Sequence, residues 1–489
     1  MKQHIFKIIT CSFLLLGVAA SSCRKVIEKD TVEEVGTGNF YKTSIDAETG
    51  LFGCYNKMMS WDFYGKVLFY SDISSDDIQS YNDGGDLFRL EKRSELIPTN
   101  GEISSLWGGS YNALANINLL LEKVALIPDD KFLLTRKSEI LGEARFLRAF
   151  IYWHMVQFYG DVPLVLSFPK SANSTENLVA RNTVAEVVTQ IKTDLTAAET
   201  DLPLNFNDPL RLPDLNLINS KGRATKGAAK ALQLRVLLWE KNWTGAAAKA
   251  QEIIAGNQYK IDAVKFVAVF RSNDGGQNTQ ESIMECQSVE QPGQFDNTGV
   301  LKFFYTGAPV YGATESAFAN YAPGNGVDVR REQTMFKASN PTRIYAQKYK
   351  NFYSNEPNDN YILFRYAEVL LNRAEALNEV SYPNNEVVTI LNSIRARAAD
   401  PTFRFGACIG IPNISLADAP TQAAMRQLIR NEKRREMTQE GLRWFDLLRW
   451  DNGADALSAT GITDAKKLLF PIPQFDRDRN PNLTQNPGY

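Results

Sequence analysis

The sequence predicts a mainly α-helical protein with a loop-rich half. Apolar residues recur at three- and four-residue spacing, the period of an amphipathic helix, through eight segments. These segments are 103–126, 131–159, 183–199, 225–240, 244–255, 361–380, 385–398 and 421–440. Two long stretches, 58–100 and 258–360, lack that period and are rich in Gly, Asn, Asp, Ser and aromatic residues. Their aromatic content argues against disorder, so we expect ordered segments that face a ligand.

The N-terminus has the three parts of a secretory signal. Lys2 and Lys7 supply positive charge, residues 8–20 form an apolar run, and small residues lead into Cys23. The run is too short to cross a bilayer, and small residues before a cysteine are typical of a bacterial lipobox. We predict a lipoprotein signal peptide over 1–22 and lipidation of Cys23. The alternative is an ordinary cleaved signal that leaves a free Cys23.

Residues 24–38 predict a flexible tether. They are rich in Glu, Asp, Lys, Thr and Gly and show no hydrophobic periodicity. A tether here would lift the folded body away from the membrane.

Charge and cysteine content exclude several classes of function. Loss of residues 1–22 lowers Lys+Arg from 54 to 52 against 56 Asp+Glu, a net charge of −4. Nucleic acid is therefore not an expected ligand, because phosphate binding needs a basic surface. Beyond Cys23 the mature chain keeps Cys54, Cys286 and Cys408, which are odd in number and far apart. Neither a disulfide framework nor a zinc site fits that pattern.

Two pairs of predicted helices have the plan of helical hairpins. In 225–255 small residues such as Ala228 and Ala231 alternate with large ones, and Lys241 and Asn242 break the helix. Segment 361–398 repeats the plan with a turn at 382–384. The pattern is similar to tetratricopeptide repeats, although it lacks their regular period.

His154 is the one histidine that remains after loss of the signal. It lies in segment 143–154, which is apolar on nearly all faces and is therefore predicted to be a buried helix. Gly160 supplies a position for the end of this helix, and Pro163 prevents its continuation. No serine nucleophile or acid stands beside His154, so we interpret it as a core histidine and not as a catalytic base.

Glycoside hydrolysis needs two carboxylates a few ångströms apart. Asp72, Asp76 and Asp77 are the best local candidates because aromatic residues surround them. The same segment suits a helix cap or a solvated loop, and we favour those structural roles. No phosphate-binding loop is present in the sequence, and we expect no cofactor and no metal.

Segment 428–450 interleaves charges of both signs with large aromatic residues. Arg and Glu three or four residues apart can pair along a helix, and Arg443 or Arg449 can stack on an indole. We predict that this segment locks the C-terminal helix against the repeats.

Five blocks in order along the chain resemble the SusD/RagB family of outer-membrane nutrient-binding lipoproteins. The blocks are EARFLRA to YGDVPL over 143–164, RATKGAA at 223–229, RYAEVLL with AEA over 365–376, EGLRWFDL at 440–447, and PIP with NPNLTQNPGY over 471–489. One block alone would be weak, whereas five in order are specific. With Cys23, the resemblance extends to the last residue.

The resemblance implies a tetratricopeptide-like α/α superhelix with an irregular, ligand-binding half. It implies one SusD-like domain over 39–489, with an N-terminal part 39–215, a helical-repeat hairpin 222–256, a loop-rich insert 258–360 and a C-terminal part 361–489. It also implies a lipid-anchored protein of a Bacteroidetes outer membrane that faces the cell exterior. Arg24 and Lys25, directly after Cys23, are more basic than is usual in the family and leave that orientation open.

The resemblance further implies a non-catalytic function in nutrient uptake. Such a protein captures glycans and delivers them to a SusC-like TonB-dependent transporter, which it covers like a lid. A RagB-like peptide-binding protein is the alternative, and a glycoside hydrolase is the less favoured one.

Six aromatic residues of the loop-rich stretches are predicted to contact the ligand: Trp61, Tyr64, Tyr81, Tyr305, Tyr311 and Tyr321. An exposed ring can stack on the apolar face of a sugar while polar neighbours bind its hydroxyls. Each residue could alternatively pack in the core, which is how we interpret Trp107 and Tyr111. The aromatic loops favour a glycan over a peptide.

Overall fold

The structure is a computed structural model that describes residues 40–81, 85–169, 178–206, 220–261, 265–271, 276–287, 311–321, 328–338, 343–349, 359–398 and 412–489. Most of these residues are helical, as the sequence predicts. The longer helices are α1 (Ser44–Met58), α2 (Lys66–Ile73), α4 (Gly101–Leu126), α5 (Arg136–Tyr159), α6 (Val184–Asp201), α7 (Lys226–Trp239), α8 (Trp243–Ala255), α11 (Tyr366–Val380), α12 (Asn385–Ala398) and α13 (Gln422–Met437). Short helices are α3 (Phe88–Glu91), α9 (Glu315–Ala319), α10 (Arg330–Thr334), α14 (Arg443–Arg449), α15 (Ala454–Thr460) and α16 (Gln474–Arg479).

The described strands are short and pair in twos. They are β1 (Ile78–Ser80), β2 (Ser282–Cys286), β3 (Tyr311–Ala313), β4 (Met335–Lys337), β5 (Ile344–Ala346) and β6 (Tyr361–Arg365). β1 pairs with β3, β2 with β6 and β4 with β5, each antiparallel.

Local side chains set several helix boundaries. The side chain of Thr183 caps the first turn of α6, and Glu186 returns a bond to the backbone of Thr183. This capping box satisfies backbone N–H groups that the first turn of a helix leaves free. The C-terminal end of α5 is set by Gly160. Its φ is 70°, a backbone conformation that glycine adopts at little cost. The predicted stop of α5 at Gly160 is confirmed.

The N-terminal helices pack as a bundle. α5 packs against α1, α4 and α6, and α6 packs against α7. Arg148 on α5 donates to both carboxylate oxygens of Asp194 on α6, at 2.8 and 2.7 Å. Two parallel bonds of this kind fix the relative position of the two helices.

The predicted helical hairpins are confirmed. α7 and α8 pack together around a tight turn in which Lys241 has φ of 58°. The Asn242 side chain accepts a bond from the Gly245 N–H at 3.0 Å and so begins α8. α8 then packs on α11, which also packs on α12 and α13. Successive helical pairs thus form the scaffold that the sequence predicts.

The predicted helix over 361–380 is wrong in its first five residues. Tyr361–Arg365 form β6, which pairs with β2, and the helix begins only at Tyr366. All five side chains of β6 are buried. A short apolar run fits a buried strand or a buried helix equally well, and a partner strand distant in sequence decides between them.

The prediction that 58–100 is non-helical is also wrong in part. Trp61–Gly65 form a π-helical turn that continues into α2, and all eight residues of α2 are buried. A helix that is buried on every side has no polar face, so its sequence shows no amphipathic period.

The C-terminal tail packs against the end of α5. Phe470 donates its backbone N–H to the carbonyl oxygen of Phe158 at 2.7 Å. The Asn486 side chain donates to the carbonyl oxygens of Tyr159 and Phe470, at 2.8 and 2.7 Å. The last sequence block therefore contacts the exit of the block at 143–164.

Candidate functional site

The predicted ligand-contacting aromatic residues do not share one environment. Trp61 and Tyr81 are partly exposed. Three others expose 4% of their surface or less: Tyr64, Tyr311 and Tyr321. A sugar can stack on a ring only where the ring face is open, so the expectation of an exposed ring is wrong for these three.

Packing explains two of the buried rings. The Tyr64 ring packs against Phe150 of the apolar helix α5, with ring centroids 5.4 Å apart. The Tyr321 hydroxyl donates to the carbonyl oxygen of Arg435 at 2.7 Å. Burial raises the pKa of both tyrosines. The sixth residue, Tyr305, lies outside the described residues.

Trp61 begins the π-helical turn, and its ring contacts both Phe69 and Lys66. Its ring centroid lies 6.4 Å from that of Phe69. The Lys66 ammonium lies 5.3 Å from the Trp61 ring and donates to Glu102 Oε2 at 2.9 Å. A cation over an indole face is attractive, and its ion pair fixes its place. Trp61 is thus positioned while part of its surface remains open.

Tyr311 links Trp61 to Tyr81. The Tyr311 ring packs edge-on against Phe69 at 4.8 Å, and its backbone lies opposite Ser80 in the β1–β3 pair. Burial and then the charge of Glu102 raise the pKa of Tyr311 to about 12. One continuous set of contacts therefore carries both partly exposed rings. We call the part of it that reaches solvent the Trp61–Tyr81 surface and define it as Trp61, Ser80, Tyr81 and Glu102, with the buried Lys66 beneath Trp61.

Tyr81 is fixed by the edge of β5. Its hydroxyl accepts a bond from the Ile344 N–H at 2.7 Å and donates to the Ile344 carbonyl oxygen at 3.2 Å. The Arg343 guanidinium lies 5.2 Å from the Tyr81 ring centroid. Gly312 is required here, because a Cβ at that position would lie 2.5 Å from the Tyr81 hydroxyl and would meet the Ile344 carbonyl. These contacts therefore fix the position of the Tyr81 ring.

The structure adds two aromatic residues that the sequence interpretation missed. Phe336 and Tyr345 face each other across β4 and β5, with ring planes 15° apart and centroids 6.3 Å apart. Phe336 is 49% exposed, whereas Met335 and Ile344 on the opposite face are buried. Burial alternates along β5 but not along β4, where Phe336 and Lys337 are both exposed, so strands of three residues gave no alternating pattern by which the sequence could have found this pair.

Polar groups near these rings are largely paired with each other. Lys66 pairs with Glu102, and the Lys337 ammonium pairs with both oxygens of Glu315, at 2.7 and 3.0 Å. The arrangement combines open aromatic rings with a few fixed polar groups. Such a surface binds by stacking and hydrogen bonding.

An open cleft elsewhere on the molecule is a weaker candidate. Its space, including the solvent at its open mouth, is about 1030 Å³, and it is lined by Tyr111 and neighbouring residues of α4 and by residues 164–169. Of the described residues that line this cleft, none carries a charge. Tyr111 is partly buried and donates its hydroxyl to the carbonyl oxygen of Pro163 at 2.9 Å, and Trp107 is 3% exposed. Trp107 is therefore a core residue, as predicted, whereas Tyr111 lies at the border of the core.

Known protein families match both halves of the chain. Residues 255–462 match the SusD family, and residues 42–238 match a family described as starch-binding and associating with the outer membrane. The chain belongs to the SusD/RagB family.

Relatives extend the SusD likeness over nearly the whole chain. SusD-like protein P2 of Formosa agariphila is 26% identical over 526 residues, spanning 98% of this chain and 99% of that protein. A SusD homolog from Bacteroides thetaiotaomicron has the same fold, with TM-score 0.75, 21% identity, and coverage of 93% and 99%. A laminarin-binding SusD-like protein gives TM-score 0.72 at 22% identity, with coverage of 92% and 100%.

In this SusD-family chain His154 is a core residue, as predicted. Its Nδ1 lies 2.8 Å from the Phe150 carbonyl oxygen, to which it donates, and the side chain is surrounded by aromatic rings. Burial lowers the pKa of His154 to about 3. The ring therefore stays neutral at physiological pH, and the side chain is only 3% exposed.

Two of the three candidate aspartates, Asp76 and Asp77, form structural ion pairs, and Asp72 accepts a bond from the Gly441 N–H at 3.2 Å. Asp76 accepts from Arg443 Nε and Nη2 at 2.8 and 3.0 Å, and Asp77 accepts from Arg434 Nε at 2.7 Å. Burial opposes ionisation of Asp76, but the bonds from Arg443 lower its pKa. Burial raises the pKa of Asp72. Instead of the helix cap or solvated loop favoured from sequence, these carboxylates join the N-terminal part to α13 and α14.

The charged segment 428–450 locks α13, as predicted. Glu432 and Glu436 are fully buried one turn apart. Arg330 reaches both, at 2.6 and 2.8 Å, and Arg365 Nη1 lies 2.6 Å from Glu436 Oε1. Stacking is also confirmed, since the Arg449 guanidinium lies 5.4 Å from the Trp450 ring.

Neither a metal cluster nor a membrane-spanning helix occurs in the part of the chain that the structure describes. No group of three or more His, Cys, Asp or Glu side chains converges there to hold a metal ion. No helix among those residues is long and apolar enough to cross a bilayer. Cys54 and Cys286 are buried and form no disulfide within the described part of the chain. Cys23 and Cys408 lie outside the described residues.

Proposed function

We propose that this SusD-family chain captures oligo- or polysaccharides at the cell surface and delivers them to a SusC-like TonB-dependent transporter. The Trp61–Tyr81 surface carries the proposal, because it presents two partly exposed rings on a rigid scaffold beside Phe336 and Tyr345. Aromatic rings pack on the apolar faces of sugar rings, and nearby polar groups bind hydroxyls. The relatives described as starch-binding or laminarin-binding support a glycan over a peptide.

The proposal includes a lipid anchor at Cys23 and a tether over 23–38. The family description of association with the outer membrane supports this part. Residues 39–489 would form one SusD-like domain on that tether, and the packing of the C-terminal tail on α5 supports a single unit. The anchored domain would face the cell exterior, where polysaccharides are encountered.

Binding without hydrolysis is the third part of the proposal. The neutral, buried His154 and the ion pairs of Asp76 and Asp77 support it, since neither arrangement offers a general acid or base to a glycosidic bond. Separate enzymes would break the polysaccharide.

The test is binding to starch, laminarin and a peptide mixture, measured by calorimetry with product analysis of the same samples. We expect saturable binding of a polysaccharide without release of sugars. Trp61→Ala should weaken that binding by about threefold to tenfold, the range expected for loss of one stacking ring. Circular dichroism should show an unchanged helix content.

Phe475→Ala is the matched control for Trp61→Ala. Phe475 is 56% exposed on α16, and its ring packs against the Arg479 guanidinium, which is not a member of the Trp61–Tyr81 surface, so its loss should leave the binding constant unchanged. Release of sugar, binding of peptide alone, or equal affinity of the Trp61→Ala variant and wild type would each contradict the proposal.

A further inference from the structure

Five large aliphatic side chains are open to solvent at one end of the molecule: Ile45, Leu126, Leu133, Leu134 and Leu204. Their exposed fractions are 62%, 77%, 58%, 71% and 59%. We call this set the aliphatic end patch. Isolated exposed leucines are common on protein surfaces, whereas a group of them marks a surface that meets something apolar.

Contacts around Arg136, the first residue of α5, place three parts of the patch together. Arg136 Nη2 donates to Glu48 Oε2 at 3.0 Å, and Glu48 lies one helical turn after Ile45. Leu133 and Leu134 lie just before Arg136 in the chain, separated from it only by Thr135. The start of α1 and the loop before α5 therefore lie side by side.

The other two members lie at the same end. The Arg136 guanidinium is 5.6 Å from the ring of Phe206, two residues after Leu204. The Lys137 ammonium donates to the carbonyl oxygen of Ile127 at 2.6 Å, directly after Leu126. Four separate segments thus bring aliphatic side chains to one end of the helical bundle.

Leu134 supplies an independent sign that the patch has a role. Its φ is 50°, in the left-handed region that glycine or asparagine adopts more readily than leucine. The same residue is 71% exposed. An apolar side chain that gains nothing from burial and strains its own backbone points to selection for contact outside the folded chain.

The tether is attached at this same end. The described chain starts at Phe40, five residues before Ile45, and Cys23 stands seventeen residues before Phe40. A flexible segment of that length has a typical end-to-end distance of roughly 20–25 Å, and its full extension is about 60 Å. An acylated Cys23 therefore holds the aliphatic end patch within reach of the membrane.

We propose that the aliphatic end patch rests on the lipid surface of the outer membrane and so orients the ligand-binding domain. This inference rests on the Cys23 anchor of the proposed function. Leucine and isoleucine without aromatic or hydrogen-bonding partners suit the acyl boundary of a bilayer, where affinity follows the buried apolar area. Because the anchor already holds the domain at the membrane, contact between the patch and the lipid is in effect an intramolecular step. A small patch is therefore sufficient.

The first test places a fluorophore on the patch of the full lipidated protein. Leu133→Cys is labelled in a C408S background, where Cys54 and Cys286 are buried. The protein is reconstituted into vesicles of phosphatidylethanolamine and phosphatidylglycerol with brominated acyl chains. We expect quenching at position 133.

Phe475→Cys, labelled in the same way, is the control for position. The cleft that contains its neighbour Asp476 is lined by Trp107 and Tyr111 of α4. Tyr111 lies roughly 20 Å along that helix from Leu126. A fluorophore there should not be quenched. Equal signals at 133 and 475 would overturn the inference.

A second test separates contact from folding. In an unanchored Cys23→Ser chain, the triple variant L126S/L133S/L134N should lower the vesicle partition constant at least about tenfold. Leu134→Asn alone should raise the melting temperature, since asparagine tolerates the left-handed backbone. Unchanged partitioning of the triple variant would overturn the inference.

The outcomes also distinguish this inference from the proposed function. A wild-type protein absent from the membrane fraction would remove the Cys23 anchor and the inference together. In anchored protein, the fluorophore at position 133 could become shielded from solvent only when the transporter is present. That result would assign the patch to the transporter and overturn a lipid contact. Glycan binding, measured separately, is unaffected by either result.

Discussion

His154 lies among the rings of Phe63, Tyr64, Phe150 and Phe445, and that environment determines its protonation. Burial lowers its pKa from 6.5 to about 3. The unfolded chain therefore binds a proton between these values that the folded chain does not bind. Stability contributed by the neutral ring is full above about pH 6.5 and decreases as the pH falls toward 3.

Replacement of His154 by phenylalanine should reduce this acid sensitivity. His154→Phe keeps an aromatic ring of similar volume, so the free energy of unfolding at pH 7.5 should change by less than about 1.5 kcal/mol. Between pH 6.5 and 3 the variant should lose less stability than the wild type. Urea unfolding at several pH values measures both. Parallel pH profiles for the two proteins would show that His154 is not buried neutral.

At the scale of elements, α13 is held by charge inside the core. Glu432 and Glu436 are buried on this helix, and Arg365 and Arg330 reach them from β6 and α10. Burial opposes ionisation of Glu436, but Arg397, Arg365 and Arg330 lower its pKa. Removing one partner from such a set leaves the others charged and unpaired in a low dielectric, which costs more than the intact pair contributes.

Glu436→Gln should therefore lower the free energy of unfolding by about 3–5 kcal/mol at pH 7. Because the folded pKa of Glu436 is depressed, its contribution is present above the unfolded value of 4.5 and is lost as the pH falls through the folded pKa. The difference between variant and wild type should then shrink in acid. Chemical denaturation at pH 7 and pH 3 checks this.

Glu386→Gln is the surface control. Glu386 pairs with Arg373 on neighbouring helices, but its side chain is 44% exposed. Exposed pairs contribute about 1 kcal/mol or less, so this variant should lie close to the wild type at both pH values. A similar loss in both variants would contradict a special role for buried charge on α13.

For the whole molecule, the decisive contacts join distant ends of the chain. Asp76 and Asp77, close to the start of the described chain, pair with Arg443 and Arg434, close to its end. Asn486 in the tail contacts the end of α5. These ion pairs and hydrogen bonds join the N-terminal bundle to the C-terminal helices, so we expect the two parts to unfold together.

Asp76→Ala tests that coupling. It leaves two partly buried arginines with fewer partners and should lower the free energy of unfolding by about 3 kcal/mol. Near-ultraviolet and far-ultraviolet circular dichroism should still report one coincident transition at a lower temperature. Two separate transitions in the wild type would show that the halves are independent.

The sequence by itself determined the helical class, the end of α5 at Gly160, the start of α6, the hairpins of the scaffold, and the family; the start of α5 lies five residues later than the predicted 131. Those features depend on periodicity, caps and ordered motifs, which are local or nearly local in the chain. It also predicted Trp61 and Tyr81 as ligand contacts, and both rings are partly exposed, as that prediction requires. The buried role of His154 could be predicted because its whole helix is apolar.

Tertiary structure alone decided which aromatic rings are open. Tyr64, Tyr311 and Tyr321 have the same sequence character as Tyr81, yet distant partners bury them. The same holds for β6, whose strand needs β2, and for the aliphatic end patch, which four segments assemble. Exposure and strand pairing are properties of contacts between segments far apart in the chain, and a linear pattern does not contain those contacts.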